Sequence, residues 1–122
     1  MRFWRSIAAF PLFCLAFTLA TPVFAEVSAR EAIALYRKGN KEISIFVDGL
    51  VAGFSWYNAD MSQSEQGKLY CLPTKMAITT NQVFSILEKY LESDIPDVET
   101  DFPVGVTILF AFKTTFPCQK AK

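Results

Sequence analysis

The side chains able to do chemistry in these 122 residues are few, and what is missing decides more than what is present. There is no histidine, so the commonest general base and the commonest metal ligand are both lacking. A Ser-His or Cys-His nucleophile and a histidine-held zinc are thereby excluded within the chain. Asp48 and Asp60 stand twelve positions apart. On one helix that is about 18 Å, too far for the paired carboxylates of glycoside hydrolysis. Three cysteines remain: Cys14, Cys71 and Cys118. No catalytic set emerges from these residues, and none that would hold a metal or cofactor. The expectation is a protein that is not an enzyme and acts by binding.

The cysteines belong to two different parts of the chain. Arg2 and Arg5 flank a short basic start, and residues 7–19 (IAAFPLFCLAFTL) form an apolar run of the length a secretory signal needs. Thr21-Pro22 breaks the run, and Val23-Phe24-Ala25 places a β-branched residue at −3 and alanine at −1. Cleavage before Glu26 is expected, with residues 1–25 as the signal peptide and residues 26–122 as one exported, periplasmic domain. An uncleaved N-terminal anchor is the alternative. Cys14 follows Phe13, where a lipid-attachment motif requires a small residue, so lipidation is not expected.

Removing residues 1–25 leaves 97 of the 122 residues, with ten basic side chains against twelve acidic, a formal net charge of −2. No basic cluster exceeds Arg37-Lys38, so a nucleic-acid partner is not expected. The longest apolar stretch left, residues 104–112, is far below membrane-spanning length. A domain this small buries only about 60–65% of its unfolded surface and gains from a staple. Cys71 and Cys118 are an even pair in an exported chain, with a single possible connectivity. A bridge between them restrains the unfolded chain by about 4 kcal/mol in the chain-entropy picture and consumes both sulfurs. Two free thiols are the alternative.

The elements that must carry these groups read as helices. Ser28 with Glu31 resembles a capping box ahead of Ala29 to Tyr36, and Gly39-Asn40 supplies the stop. From Lys41, the positions Ile43, Phe46, Val47, Leu50, Phe54, Tyr57 and Met61 form an apolar stripe at the helical period over about five turns. Beside that stripe, Gly49 and Gly53 stand four apart with Ala52 and Trp56, a groove for ordinary close helix packing or for a dimer surface. Residues 60–68 (DMSQSEQGK) are polar and aperiodic, an exposed loop. Thr80 is expected to cap a third helix carrying Val83, Phe84, Leu87, Tyr90 and Leu91. Glu92, Asp94, Asp97, Glu99 and Asp101 then place five acids in ten residues with no basic side chain among them. That run is either a solvated connection or a docking patch for a basic partner.

Asp101-Phe102-Pro103 predicts the start of a fourth segment, with Asp as cap and Pro in the first turn, running through Val104 to Thr115. Val104, Val106, Ile108, Phe110 and Phe112 alternate as a strand does, whereas Phe102, Val106, Leu109, Phe112 and Phe116 fit a helix. Both readings bury the segment. A Cys71–Cys118 bridge then pins its end against the start of the third helix. The fold class expected is all-α, a compact bundle of about four helices stapled by one disulfide.

Several of these features occur in a combination that resembles the Rap/Tai family of immunity proteins. They are the Gly49-containing helix with Asp48 beside it, Cys71-Leu72-Pro73, Ile78-Thr79-Thr80-Asn81-Gln82 opening a helix that closes with Tyr90-Leu91, and Phe116-Pro117-Cys118. Together they cover roughly residues 29–118. The chain departs from the family pattern in Val104-Gly105-Val106-Thr107, β-branched with a glycine inside, which predicts a distorted fourth helix. The resemblance implies a small exported helical domain, typically dimeric, that occludes a peptidoglycan amidase delivered by type VI secretion. On that reading Ser62, Gln63, Ser64, Glu65 and Gln66 are the expected contact loop, with Asp94, Asp97 and Glu99 as a second patch. Gly49, Gly53 and Trp56 are the expected self-interface. A periplasmic accessory or acid-stress chaperone-like module with no toxin partner is the alternative.

Overall fold

The computed structural model describes residues 27–61, 67–93 and 102–119, and they form an all-α bundle. Its helices are α1 (Ala29–Arg37), α2 (Lys41–Asp60), α3 (Thr80–Glu92) and α4 (Val104–Thr115). Both α1 and α3 touch each of the other helices, so that pair is the centre against which α2 and α4 pack. Residues 1–25, the expected signal peptide, lie outside the described residues.

Short-range chemistry sets where each helix starts and stops. Ser28 accepts from the Glu31 N–H at the head of α1, half of the expected capping box; among the described residues the Glu31 side chain returns no bond to the Ser28 N–H. At its end Gly39 takes a left-handed φ of +76°, which a side chain would resist. That conformation lets the Gly39 N–H reach the Tyr36 carbonyl (2.9 Å) and the Asn40 N–H reach the Leu35 carbonyl (3.1 Å), a Schellman closure. Asn40 at once caps the next helix by accepting from the Ile43 N–H (3.1 Å). Three residues thus end α1 and begin α2 with their backbone groups satisfied.

Two expected caps are corrected. Helix α3 is capped by Thr79, not Thr80: Thr79 accepts from the Gln82 N–H while Gln82 reaches back to the Thr79 N–H (2.8 Å). The reciprocal box needs a Gln three positions on, and only Thr79 has one. For α4, Pro103 stands at the cap position rather than in the first turn, and Asp101 lies outside the described residues. Pro103 has no side-chain cap to offer. The Val104 N–H is satisfied instead by the Val27 carbonyl (2.8 Å), and the Ala29 N–H meets the Phe102 carbonyl (3.3 Å). A short antiparallel bridge, Ser28 to Pro103, therefore joins the starts of α1 and α4.

The fourth segment is helix, without the strand character that its alternation suggests. Its inward side chains are Val104, Thr107, Ile108, Ala111 and Phe112, spaced at the helical period. Val106 and Phe110, common to the strand pattern, are 40% and 42% exposed. The helical set expected from sequence is also corrected, since Phe102 and Val106 face out while Leu109, Phe112 and Phe116 pack in. Thr107 is buried because its hydroxyl bonds to the Pro103 carbonyl one turn back (3.2 Å). Gly105 does not interrupt the helix, and a Cβ there would sit in ordinary contact with the Leu50 methyls of α2 at 3.4 and 3.5 Å.

The core these helices share is Ala29, Ala32 and Ile33 of α1, Ile43 and Val47 of α2, Val83, Phe84 and Leu87 of α3, and Val104, Ile108 and Phe112 of α4. Each large aliphatic or aromatic side chain removed from water contributes about 1.5–3 kcal/mol before entropy is charged. Tyr36 stacks on Phe84 with ring centroids 3.8 Å apart, and its hydroxyl donates to Asn81. On the rim, Arg37 and Glu88 pair at 2.9 Å, a solvent-facing contact of small worth.

Candidate functional site

The segment between α2 and α3 is held in place by three devices. The first is the Cys71–Cys118 disulfide, reinforced by the Cys71 N–H donating to the Phe116 carbonyl (2.9 Å). It pins the end of α4 to the stretch ahead of α3 rather than to α3 itself. The second is Asn58 on α2, whose side-chain amide donates to the Tyr70 carbonyl (2.9 Å) and whose oxygen accepts from the Leu69 N–H (2.8 Å). The third is Asp48 on α2, which accepts from the Thr80 hydroxyl at the first turn of α3 (2.7 Å). A carboxylate in that position also suits the positive end of the α3 dipole.

Tyr70 is trapped between the first two. It is 1% exposed, and its ring meets Phe112 edge-on at 5.0 Å. Its hydroxyl is buried with no hydrogen-bond partner. The neighbouring Ser55 hydroxyl spends its own proton on the Val51 carbonyl (2.9 Å), so no aligned donor reaches the phenol oxygen. Burial pushes the phenol pKa above its ordinary value, with Ser55 acting weakly the other way.

Above Tyr70 opens a cleft of about 410 Å³ lined by Asp48, Val51, Ala52, Ser55, Leu72, Met76, Ala77, Ile78 and Tyr70 itself. The walls are mainly apolar, with one carboxylate and two hydroxyls, the lining pattern of a ligand pocket. The lip at Met76 belongs to a turn closed by the Met76 N–H on the Pro73 carbonyl (3.1 Å). That turn holds Lys75 at φ +64°, a left-handed conformation that costs a lysine roughly 1–2 kcal/mol.

Beside the cleft, α2 turns a second face to solvent. Ile45, Gly49, Gly53 and Trp56 follow one another at +4, +4 and +3, hence on one side of the helix. Ile45 is 71% exposed and Trp56 74%. A Cβ built on Gly49 or Gly53 would meet nothing within 4 Å. The reading of these glycines as ordinary close packing inside the fold is therefore corrected: the groove they make is open. Ala52 lies at the boundary, on the flank of this face and in the wall of the cleft.

The remaining residues singled out from sequence are not brought together here. Ser62, Gln63, Ser64, Glu65 and Gln66 lie outside the described residues, as do Asp94, Asp97 and Glu99. Glu92, at the end of α3, is exposed. Among the described residues, no group of three His, Cys, Asp or Glu is placed to hold a metal, and no helix is long and apolar enough to cross a membrane. The cystine points to an oxidising compartment. Asn58 and Tyr70 escaped the sequence reading, although Tyr70 adjoins Cys71 and the staple predicts its burial. Comparison with protein families, with curated proteins and with solved structures found no match.

Proposed function

We propose that this chain is a periplasmic immunity protein that binds a peptidoglycan amidase delivered by type VI secretion and occludes its cleft. The observation that carries the reading is the outer face of α2. Trp56 and Ile45 stand out in water with two glycines open between them. Tryptophan is the side chain most often found as an anchor at protein interfaces. Glycines between such anchors let a partner's backbone come close. The staple, the Asn58 clamp and the Schellman turn preorganise this surface, which lowers the ordering cost of association. The resemblance in residue order to Rap/Tai proteins supplies the kind of partner, and the signal-like leader with the cystine supplies the periplasm.

In this reading the α2 face contacts the amidase or a second copy of the chain. The 62–66 loop that follows α2 in sequence adds polar contacts, and Asp94, Asp97 and Glu99 form a second patch. The test is inhibition of the cognate amidase by variants. Trp56→Ala, together with Ile45→Ala, lowers inhibitory affinity at least about a hundredfold, as loss of a central anchor does, without lowering the melting temperature. Glu65→Lys with Gln66→Ala, and Asp97→Lys with Glu99→Lys, each weaken it where those patches touch the enzyme. Unchanged inhibition by the Trp56 variant removes α2 from the interface. The alternative of an accessory or chaperone-like module predicts protection of unfolded clients at low pH and no amidase inhibition.

A further inference from the structure

We propose that the Cys71–Cys118 cystine is a redox latch on the cleft: its reduction releases the rim, residues 71–77, while the four helices stay packed. The cleft is then complete only where the chain is oxidised.

Three observations converge. First, the latch lies outside the core. Both cysteines are half-buried, neither belongs to the buried cluster, and Pro117 and Gln119 on either side of Cys118 are exposed. A dithiol can therefore reach a sulfur, which burial in the core would prevent. Second, the rim has little else to hold it. Leu69 and Tyr70 are bonded to Asn58 on α2, and the Cys71 N–H donates to the Phe116 carbonyl beside the bridge. Beyond that point, among the described residues, the one hydrogen bond from 72 to 78 is local, the Met76 N–H to the Pro73 carbonyl. Leu72 and Ile78 pack on the core at the two ends of this stretch, and Pro73, Thr74, Lys75, Met76 and Ala77 between them are exposed. Regular ties resume at Thr79, the cap of α3. Third, the helices do not depend on the rim. Their shared core consists of side chains from α1 to α4 together with Tyr70, which Asn58 and Phe112 hold independently of the sulfurs.

A segment with few hydrogen bonds and few buried contacts opens at the lowest free energy in a fold. Leu72, Met76 and Ala77 belong to this segment and form one wall of the cleft. Loss of the covalent tie therefore turns that wall from ordered to disordered, a switch confined to one segment. The chemistry is thiol–disulfide exchange with a dithiol. One thiolate of the dithiol attacks a sulfur of the cystine, forming a mixed disulfide and expelling the other cysteine as a thiolate that takes up a proton. The second thiol of the reductant, deprotonated, then attacks the mixed disulfide and frees the first cysteine. Two electrons pass to Cys71 and Cys118, which end as thiols, and the dithiol ends as a disulfide.

The test compares the exported protein in its oxidised form, after reduction by dithiothreitol, and as the variant Cys71→Ser with Cys118→Ser, which needs no reductant. Backbone nitrogen relaxation reads the order of each residue, and trypsin, which cuts after Lys75, reads the opening of the rim. On reduction, order parameters at residues 72–77 are expected to fall from about 0.85 to below about 0.6, with those of α1 to α4 unchanged. Cleavage after Lys75 in the serine variant is at least about tenfold faster than in the oxidised protein and precedes any cut within the helices. Helical circular dichroism is retained, and reoxidation of the reduced protein restores its rim order. Rim order and Lys75 cleavage that do not respond to loss of the bridge overturn the proposal. Loss of the helical signal in the reduced protein or in the serine variant also overturns it, since the bridge would then support the whole bundle. Neither readout needs an amidase, so the latch and the immunity reading fail separately.

Discussion

Two glycines in the middle of an exposed helix are a cost that the isolated fold does not need, and this gives a quantitative prediction. Gly49 and Gly53 sit in the interior of α2, where glycine is less favourable than alanine by about 0.5–1 kcal/mol per site. Nothing lies within 4 Å of a Cβ at either position, so alanine introduces no clash inside the chain. Gly49→Ala with Gly53→Ala is therefore expected to stabilise the protein by about 1–2 kcal/mol. For a domain of this size that is a rise in melting temperature of about 4–16 °C. Thermal unfolding of the oxidised protein, followed by far-ultraviolet circular dichroism and by calorimetry, reads it directly. Two new methyl groups would also stand between Ile45 and Trp56, where a partner's backbone is proposed to pass. The same variant is thus expected to lose at least about tenfold in partner affinity, a more stable protein that binds less well. A fall in melting temperature refutes the open-face geometry. A rise with full binding refutes the α2 face as the contact.

Replacing both Cys71 and Cys118 by serine removes the restraint on a 47-residue separation and is expected to cost about 4 kcal/mol, measurable by urea denaturation with and without reductant. A loss below about 1 kcal/mol contradicts the staple's assigned role. Tyr70 makes a pH-dependent contribution whose direction follows from its raised pKa. Below the ordinary phenol pKa of about 10, both folded and unfolded chains hold the proton and stability is unaffected. Above it the unfolded chain ionises first, so stability is lost as pH rises, by at most about 1.4 kcal/mol per pH unit for this one proton. The difference between wild type and Tyr70→Phe isolates the effect in alkaline denaturation. The variant is expected to be at least as stable as wild type at neutral pH, since it deletes an unpaired buried hydroxyl. A neutral-pH loss above about 1 kcal/mol would show that the hydroxyl has a partner in the folded state.

Local pattern carries much of this fold into the sequence. Ser28, Gly39-Asn40 and the α2 stripe each act through neighbours three or four positions away; the stripe packs inward from Ile43 to Phe54, whereas its later member Tyr57 is corrected to the exposed side, 42% open to water. The cysteine pair needed only arithmetic. Residues 104–115 were harder because their inward face uses Thr107 and Ala111, which no count of large apolar residues selects. What buries them is long-range: α4 packs on α1 and α3, and the Val27 carbonyl replaces a side-chain cap. The cleft was illegible for the same reason. Asp48, Ser55, Tyr70 and Met76 share no local period, and they converge only because Asn58 and the cystine fold the connecting segment back over α2. Gly49 and Gly53 were visible as a groove, but whether it faced the core or solvent depended on how α1 and α3 pack against α2.

The claim at the centre of this account is that the α2 surface disables a peptidoglycan amidase by covering it. The most direct measurement uses the exported, oxidised protein as bait against periplasmic and secreted proteins of the source cell and its neighbours, followed by an amidase assay on what is retained. The account predicts a captured amidase whose activity is abolished at one equivalent of this protein and largely retained when one equivalent of Trp56→Ala is used in its place. Folded, disulfide-bonded bait that retains no peptidoglycan hydrolase, or that leaves a retained one fully active, contradicts it.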